Sequence, residues 1–303
     1  MSRWIVKAAV QGTLSLLPGR DTWNYLFQRH VTRSVTPSKQ SLAKRLAWCE
    51  THIAAFEEFR GRIPSTVIEL GTGWIPTVPV GLYLCGVDRV VSIDIHDLRK
   101  PELQREMLDV FYAYPREELK SVLPHMLPDR FDRLLSLKGQ QPERVFEQIG
   151  VEYVIEDAQK DLFPAGSVDY FVSNTTLEHI SRDVIAGIFT AFRKACAPDG
   201  LMSHLIDMSD HYSHFDSSIT PYHFLQHDQA VWRLVNNGLL WQNRLRVSDY
   251  RTLHTDAGFE IVRETNQTRH ADKLKAMNIA AEFRGYAAEE LAVTSTWMIS
   301  QPT

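Results

Sequence analysis

Val67-Ile68-Glu69-Leu70-Gly71-Thr72-Gly73 is a short apolar, β-branched run that meets an acidic residue and then turns through two glycines. A run of this kind predicts a buried strand, and the glycines let the backbone approach a ligand because no Cβ stands in the way. The stretch therefore predicts an α/β chain with a nucleotide-like ligand at the strand's carboxyl end. A tight turn with no ligand is the other meaning of a Gly-x-Gly. Glu69 narrows the choice of ligand, because a carboxylate beside the loop repels a pyrophosphate, which prefers amide donors at a helix N-terminus, and suits a cation instead. Trp74, Ile75 and Pro76 stand where a dinucleotide-binding loop carries its last glycine, which disfavours a nicotinamide dinucleotide.

Outward from this strand, apolar runs alternate with helical segments, the order that predicts a parallel sheet. Val67–Leu70 is the first strand, Val90–Ile95 the second, Val151–Glu156 the third, Val168–Ser173 the fourth and Leu201–Met208 the fifth. A helix over Arg182–Cys196 precedes the fifth and stops at Ala197-Pro198-Asp199-Gly200. Phe259–Glu264 and Val293–Ser300 close the sheet. Upstream, helices are expected over Ser2–Leu17, Thr22–Val31 and Ser38–Phe59, separated at Pro18-Gly19 and Thr36-Pro37, with Ser38 as an N-cap. They form an N-terminal helical cap, residues 1–62, ahead of a main domain, residues 63–303. Residues 97–150 are too many for one crossover, and Glu102–Tyr114 and Arg116–Leu123 read as helices of an insertion. Residues 208–246 read as a substrate loop or lid, with a helix over Asp228–Asn236 and another following at Val247–Ala257. The first helix sets Ile5, Ala9 and Leu16 beside Arg3 and Lys7; packing on the domain is the expectation, and peripheral membrane contact stays open.

The chain has 303 residues, 44% of them hydrophobic, enough for a substantial core in one elaborated domain. Its 33 basic and 37 acidic residues leave a formal net charge of -4, which gives no reason to expect a nucleic-acid partner. Cys49, Cys85 and Cys196 are far apart and odd in number, so they suit reduced thiols in a cytoplasm rather than a disulfide framework or a zinc knuckle. Lys7 and Gln11 interrupt the opening apolar run, which reads as mature helix rather than a signal peptide. No stretch approaches the roughly 20 apolar residues that cross a bilayer. A soluble, cytoplasmic protein is expected, and nothing in the sequence bears on its oligomeric state.

Several separated motifs give the chain a resemblance to the class I S-adenosylmethionine-dependent methyltransferases, especially the group called methyltransferase type 11. Val67 to Gly73 resembles their glycine motif, and Asp94 closes the second strand where the family places an acid against the ribose hydroxyls. One carboxylate can accept from both hydroxyls of a cis-diol. Asp157-Ala158 follows the third strand, where the family has an acid at the adenine amino group and a small residue whose amide meets the ring. Asn174-Thr175-Thr176-Leu177-Glu178-His179-Ile180 resembles the segment that borders the methionine moiety and the methyl group, and Ala197-Pro198-Asp199-Gly200-Leu201 the turn into strand five. The resemblance covers Ser65 to Met208 and departs at Ile75, where the family has a third glycine. It implies a doubly wound, Rossmann-like, mostly parallel sheet with an antiparallel last strand. It also implies S-adenosylmethionine as cofactor, held by Glu69, Gly71, Gly73, Asp94, Asp157, Ala158, Asn174 and Thr175. That molecule carries an ammonium and a sulfonium and no phosphate, in keeping with Glu69.

Methyl transfer from a sulfonium is an in-line displacement, so the protein has to align the acceptor, exclude water and remove a proton if the acceptor is a hydroxyl. Strand five ends near Asp207, which places Asp210 and His211 on the loop beyond it, where open α/β sheets bind ligands. His211 is the expected general base, oriented by Asp207 or Asp210, with His179 and His214 as reserves. His211, His214 and Asp216 could serve a metal, but their spacing matches no strong motif and no metal is expected. Tyr212, Tyr222, His223 and Trp232 are candidates for an acceptor wall, and Arg244 for a clamp on an acidic group. The expected activity is methyl transfer to a small molecule or glycan, at oxygen rather than nitrogen. N-methylation and a cofactor-binding pseudoenzyme that serves as partner or regulator are the alternatives.

Overall fold

The computed structural model describes residues 3–15, 20–26, 28–29, 35–238 and 241–303. Its strands are β1 (Thr66–Leu70), β2 (Arg89–Asp94), β3 (Val151–Ile155), β4 (Val168–Asn174), β5 (Cys196–Asp207), β6 (Phe259–Thr268) and β7 (Val293–Pro302). They form one seven-stranded sheet in the order β3-β2-β1-β4-β5-β7-β6. β1 to β5 pair in parallel, and β7 lies antiparallel between β5 and β6. All the expected strands are present. β5 starts earlier than expected, at Cys196, which already pairs with Val168 before a register shift.

Strands covered on both faces need apolar side chains at successive positions, because neighbours along a strand point opposite ways. Val67, Val90, Tyr170 and Leu201 pack on one face, beneath the Lys39–Arg60 and Thr77–Leu84 helices. Ile68, Val91, Phe171 and Met202 pack on the other, beneath Arg182–Ala195 and Val247–Asp256. The helix after β1 and the helix after β4 thus lie on opposite faces. The winding reverses between the carboxyl ends of β1 and β4, the usual ligand position of such sheets.

Ser38 starts the Lys39–Arg60 helix with a reciprocal cap: its hydroxyl accepts from the Ser41 amide at 3.1 Å while the Ser41 hydroxyl accepts from the Ser38 amide at 2.9 Å. Gly61, at φ 68°, ends it. Leu42, Leu46, Ile53 and Phe56 of this helix lie in the same core as β1, so it is a layer of the sheet. The Thr77–Leu84 helix was not expected. Every one of its residues is buried, so it lacks the polar face that marks a helix in a sequence.

The insertion holds four helices: Pro101–Tyr112, Arg116–Val122, Pro128–Ser136 and Pro142–Gln148. The last two were not expected, although each opens on a proline, which suits a first turn because no partner for its nitrogen is needed there. Near the chain's start, Arg3–Ser15 and Arg20–Leu26 are helical; residues 2, 16, 17, 27, 30 and 31 of the two expected helices lie outside the described residues.

A separate apolar cluster covers the β5 and β7 side. Tyr212, Tyr222, Phe224 and Trp232 from the loop after β5 meet Leu274, Phe283 and Leu291 from the β6–β7 connection, and Ala8 of the first helix. Trp4 packs on Tyr212 and His223, with ring centroids 5.8 and 4.7 Å away, and its amide donates to Asp216 at 2.9 Å. The first helix therefore docks on the loop after β5. Among the described residues, no helix is long and apolar enough to cross a membrane.

Candidate active site at the carboxyl ends of the strands

Gly71 and Gly73 adopt φ of 79° and 67°, the left-handed region that side chains resist. Gly71 also lies so close to the β4 exit that a Cβ there would stand 2.3 Å from the methyl carbon of Thr176. Gly73 faces open space in the direction a Cβ would take, and its amide donates to Asp94 at 3.2 Å. Asp94 also accepts from the His96 amide at 3.2 Å. Burial raises its pKa against the pull of these amides. The Glu69 carboxylate turns inward and accepts the Thr72 hydroxyl at 2.5 Å, so it braces the loop from beneath. Burial lifts its pKa to about 7, with the Thr72 hydrogen bond and Arg45 opposing.

At the β3 exit, Asp157 accepts from the amide and side chain of Gln159, at 3.0 and 3.2 Å, and Ala158 is buried beside it. At the β4 exit, Asn174 is held by a relay of buried groups. Trp297 Nε1 donates to Ser203 Oγ at 2.8 Å, Ser203 lies 2.8 Å from His52 Nδ1, and His52 Nε2 lies 3.1 Å from Asn174 Oδ1. An amide oxygen only accepts, so His52 donates from Nε2 and takes the Ser203 proton at Nδ1. Burial drives the His52 pKa down to about 3, which keeps the ring neutral. The relay leaves Asn174 Nδ2 buried and without a partner. Next to it, Thr175 has φ 48°, a strained conformation of the kind that clusters at functional sites. Of the residues expected to hold the cofactor, Gly73 has open space at its Cβ position and Asn174 an unspent amide donor, whereas Glu69 turns beneath the loop. His52, Ser203 and Trp297 were missed; the one sequence signal was a histidine amid the apolar face of Ile53 and Phe56.

The loop after β5 gathers the histidines. Asp207 Oδ1 accepts from the Ser209 amide and hydroxyl at 2.8 and 2.6 Å. Asp207 Oδ2 faces Nε2 of His211 at 3.6 Å and of His214 at 3.7 Å. Burial works against its charge, but His211 and Ser209 win and hold its pKa at about 2. His214 Nε2 lies 3.0 Å from Ser209 Oγ. Because Ser209 spends its proton on Asp207, His214 must donate from Nε2, which leaves Nδ1 as the basic nitrogen. His211 stacks on His214, with ring centroids 5.2 Å apart, and meets His179 edge-on at 5.0 Å. Asp210 points elsewhere: fully buried, it accepts the Tyr212 amide at 2.8 Å and lies 3.2 Å from His223 Nδ1. Of the two carboxylates considered for His211, Asp207 is its neighbour.

A cavity of about 800 Å³ opens beside these groups, lined by Thr175, Asp207, Ser209, His214, Trp48 and Trp297, with Lys44, Arg269 and Lys273 at its rim. His211 and the residues considered for an acceptor wall are not part of its lining. Tyr212, Tyr222 and Trp232 are buried in the cluster under the loop. Arg244 is also buried; it pairs with Glu282, binds the carbonyls of Phe224 and His227, and stacks on Phe283 at 4.8 Å. Asp216 serves the Trp4 amide and Ser218, at 2.9 and 3.0 Å, rather than joining His211 and His214.

No family model and no curated protein matches the sequence. Solved structures do match. The PH0226 protein of Pyrococcus horikoshii aligns at 15% identity and TM-score 0.50, over 91% of this chain and 98% of that one. An S-adenosylmethionine-dependent methyltransferase of Leishmania major aligns at 12% identity and TM-score 0.47, over 98% of this chain and 82% of that one. With this strand order and its antiparallel β7, the chain has the Rossmann-like fold of the class I S-adenosylmethionine-dependent methyltransferases.

Proposed function

We propose that the protein transfers a methyl group from S-adenosylmethionine to a hydroxyl of a small molecule or glycan that carries an acidic group. The observation that supports this most is the cavity at the β4 and β5 exits. Thr175, next to Asn174, and the Asp207–Ser209–His214 chain all line it. Bound S-adenosylmethionine would supply an electrophilic methyl on a positive sulfur. Gly73, Asp94, Asp157, Ala158, Asn174 and Thr175 hold it in this reading, with Asn174 Nδ2 as a ready donor.

His214, rather than His211, takes the acceptor's proton, because it is the ring that reaches the cavity. Burial and the neighbouring His211 lower its pKa while Asp207 raises it, and the net shift is downward. A neutral imidazole at pH 7 accepts a proton, and Asp207 stabilises the cation that results. Lys44, Arg269 and Lys273 at the rim favour an acceptor with a carboxylate or phosphate.

Calorimetry on the full chain tests the cofactor: S-adenosylhomocysteine binds and NAD does not. Labelled methyl transfer onto a panel of hydroxylated acids and glycans tests the chemistry. His214→Ala should lower turnover about 100-fold or more at unchanged S-adenosylhomocysteine affinity. Full turnover in that variant removes His214 from the role.

A further inference from the structure

Next to Asp207 lies a cluster with no part in the reaction proposed above. Glu178 and His179 follow β4, and His211 comes from the loop after β5. One side-chain ligand atom from each of the three lies within 4.8 Å of the other two. Glu178 is 1% exposed, and neither carboxylate oxygen has a hydrogen bond of good geometry, although the Asp207 backbone lies near. A buried carboxylate in that condition calls for a cation or a proton.

We infer that Glu178, His179 and His211 form a binding site for a divalent transition metal, with zinc as the reference ion. Two imidazoles and one carboxylate are a donor set that zinc accepts, with bonds of about 2.0 to 2.2 Å and a further position left open. At such bond lengths the ligand atoms of a tetrahedral site stand about 3.4 Å apart, so the three side chains have to close by roughly an ångström.

The surroundings are those of a prepared site. His179 Nδ1 lies 2.7 Å from the Trp241 carbonyl, which only accepts, so this nitrogen carries the proton and Nε2 keeps its lone pair. Ligating histidines are oriented in this way by a partner on the other ring nitrogen. Asn243 fixes the backbone around the pair: its amide donates to the Glu178 carbonyl at 2.7 Å, and its side chain donates to the Leu177 and Ile180 carbonyls at 2.8 and 2.7 Å. Asp207, 3.6 Å from His211, adds negative charge next to the site. A bound ion would tie the β4 exit to the loop that carries Asp207 and His214.

The inference goes beyond the methyl-transfer reading and does not rest on it. The full chain, stripped with a chelator and dialysed, is titrated with zinc chloride by calorimetry, with cobalt(II) as a spectroscopic probe. Wild type is expected to take up one equivalent of zinc and to give cobalt a visible band of low coordination number. Glu178→Gln and His179→Ala should each weaken zinc binding at least tenfold, and His125→Ala, at a half-buried histidine already paired with Glu50 and Glu57, should not. No zinc uptake and no cobalt band in folded wild type overturns the site, as does wild-type affinity in both variants. S-adenosylhomocysteine titrations of the same samples separate the two readings: zinc without the nucleoside leaves the metal site standing alone, and the nucleoside without zinc removes only the metal.

Discussion

The two halves of the carboxyl edge are built differently. On the β1 to β4 side, backbone does most of the work: left-handed glycines at 71 and 73, a strained Thr175, and Asp94 on main-chain amides, with side chains holding Asn174. On the β5 to β7 side, side chains do it: rings, an inward arginine, and a loop docked by the first helix. A backbone site tolerates no added atom at its contact points. A side-chain site loses energy piece by piece when a contact is trimmed.

Gly71→Val should have the largest effect, because the new Cβ meets Thr176 at 2.3 Å and the φ of 79° is hostile to a β-branched residue. A loss of about 4 kcal/mol or more in a denaturant melt is expected, with S-adenosylhomocysteine binding abolished. Gly73→Ala has only the φ penalty, about 1 to 2 kcal/mol. Equal costs at the two glycines would break the claim that the β1 and β4 loops are in contact.

Arg246→Met comes next, on the other half. Arg246 is fully buried and binds the carbonyls of Met208, at 3.0 Å, and Val293. Methionine keeps much of the volume but leaves both carbonyls unpaired, a cost of about 3 kcal/mol by thermal denaturation. The nucleoside affinity of the folded variant should hold, since nothing at the β1 and β4 exits touches this side chain.

Glu69→Gln sharpens the comparison through pH. Folding raises the Glu69 pKa from 4.5 to about 7, so between those values the unfolded chain loses a proton that the native chain keeps. Stability therefore falls as pH rises from about 4.5 to 7 and is level above, by up to about 3 kcal/mol from this one group. Glutamine still accepts from Thr72 and cannot titrate, so Glu69→Gln should flatten that part of the profile measured without cofactor. Parallel profiles for the two proteins would mean the carboxylate is solvated.

The contrast also explains which parts were legible in advance. The central strands could be read because β1, β2 and β4 are β-branched or aromatic runs buried on both faces, and the glycine loop because two glycines end the first of them. The Pro128 and Pro142 helices were missed because they are a few turns long, where propensity says little. In the loop after β5, composition was visible and geometry was not. Tyr212, Trp232 and Arg244 have the chemistry of an acceptor wall, but a sequence does not say which way a ring faces, and here they turn inward. The same holds for Asp210, which pairs with His223, and for His52, whose link to Asn174 spans 122 residues.

Trp4→Ala is the smallest effect and the most local. Trp4 touches the loop after β5 through Tyr212, His223 and His227, at 5.8, 4.7 and 5.9 Å between ring centroids, while Ile5, Val6 and Val10 of the same helix stay exposed. Removing the indole deletes these contacts but spares the backbone bond from residue 4 to Asp216, so about 1 to 2 kcal/mol of local stability should go. Hydrogen exchange should then speed up across residues 211–227 and stay unchanged in β1 to β4. If exchange rose in both, the two halves would open as one unit, and the division between a backbone-built edge and a side-chain-built loop would not extend to their dynamics.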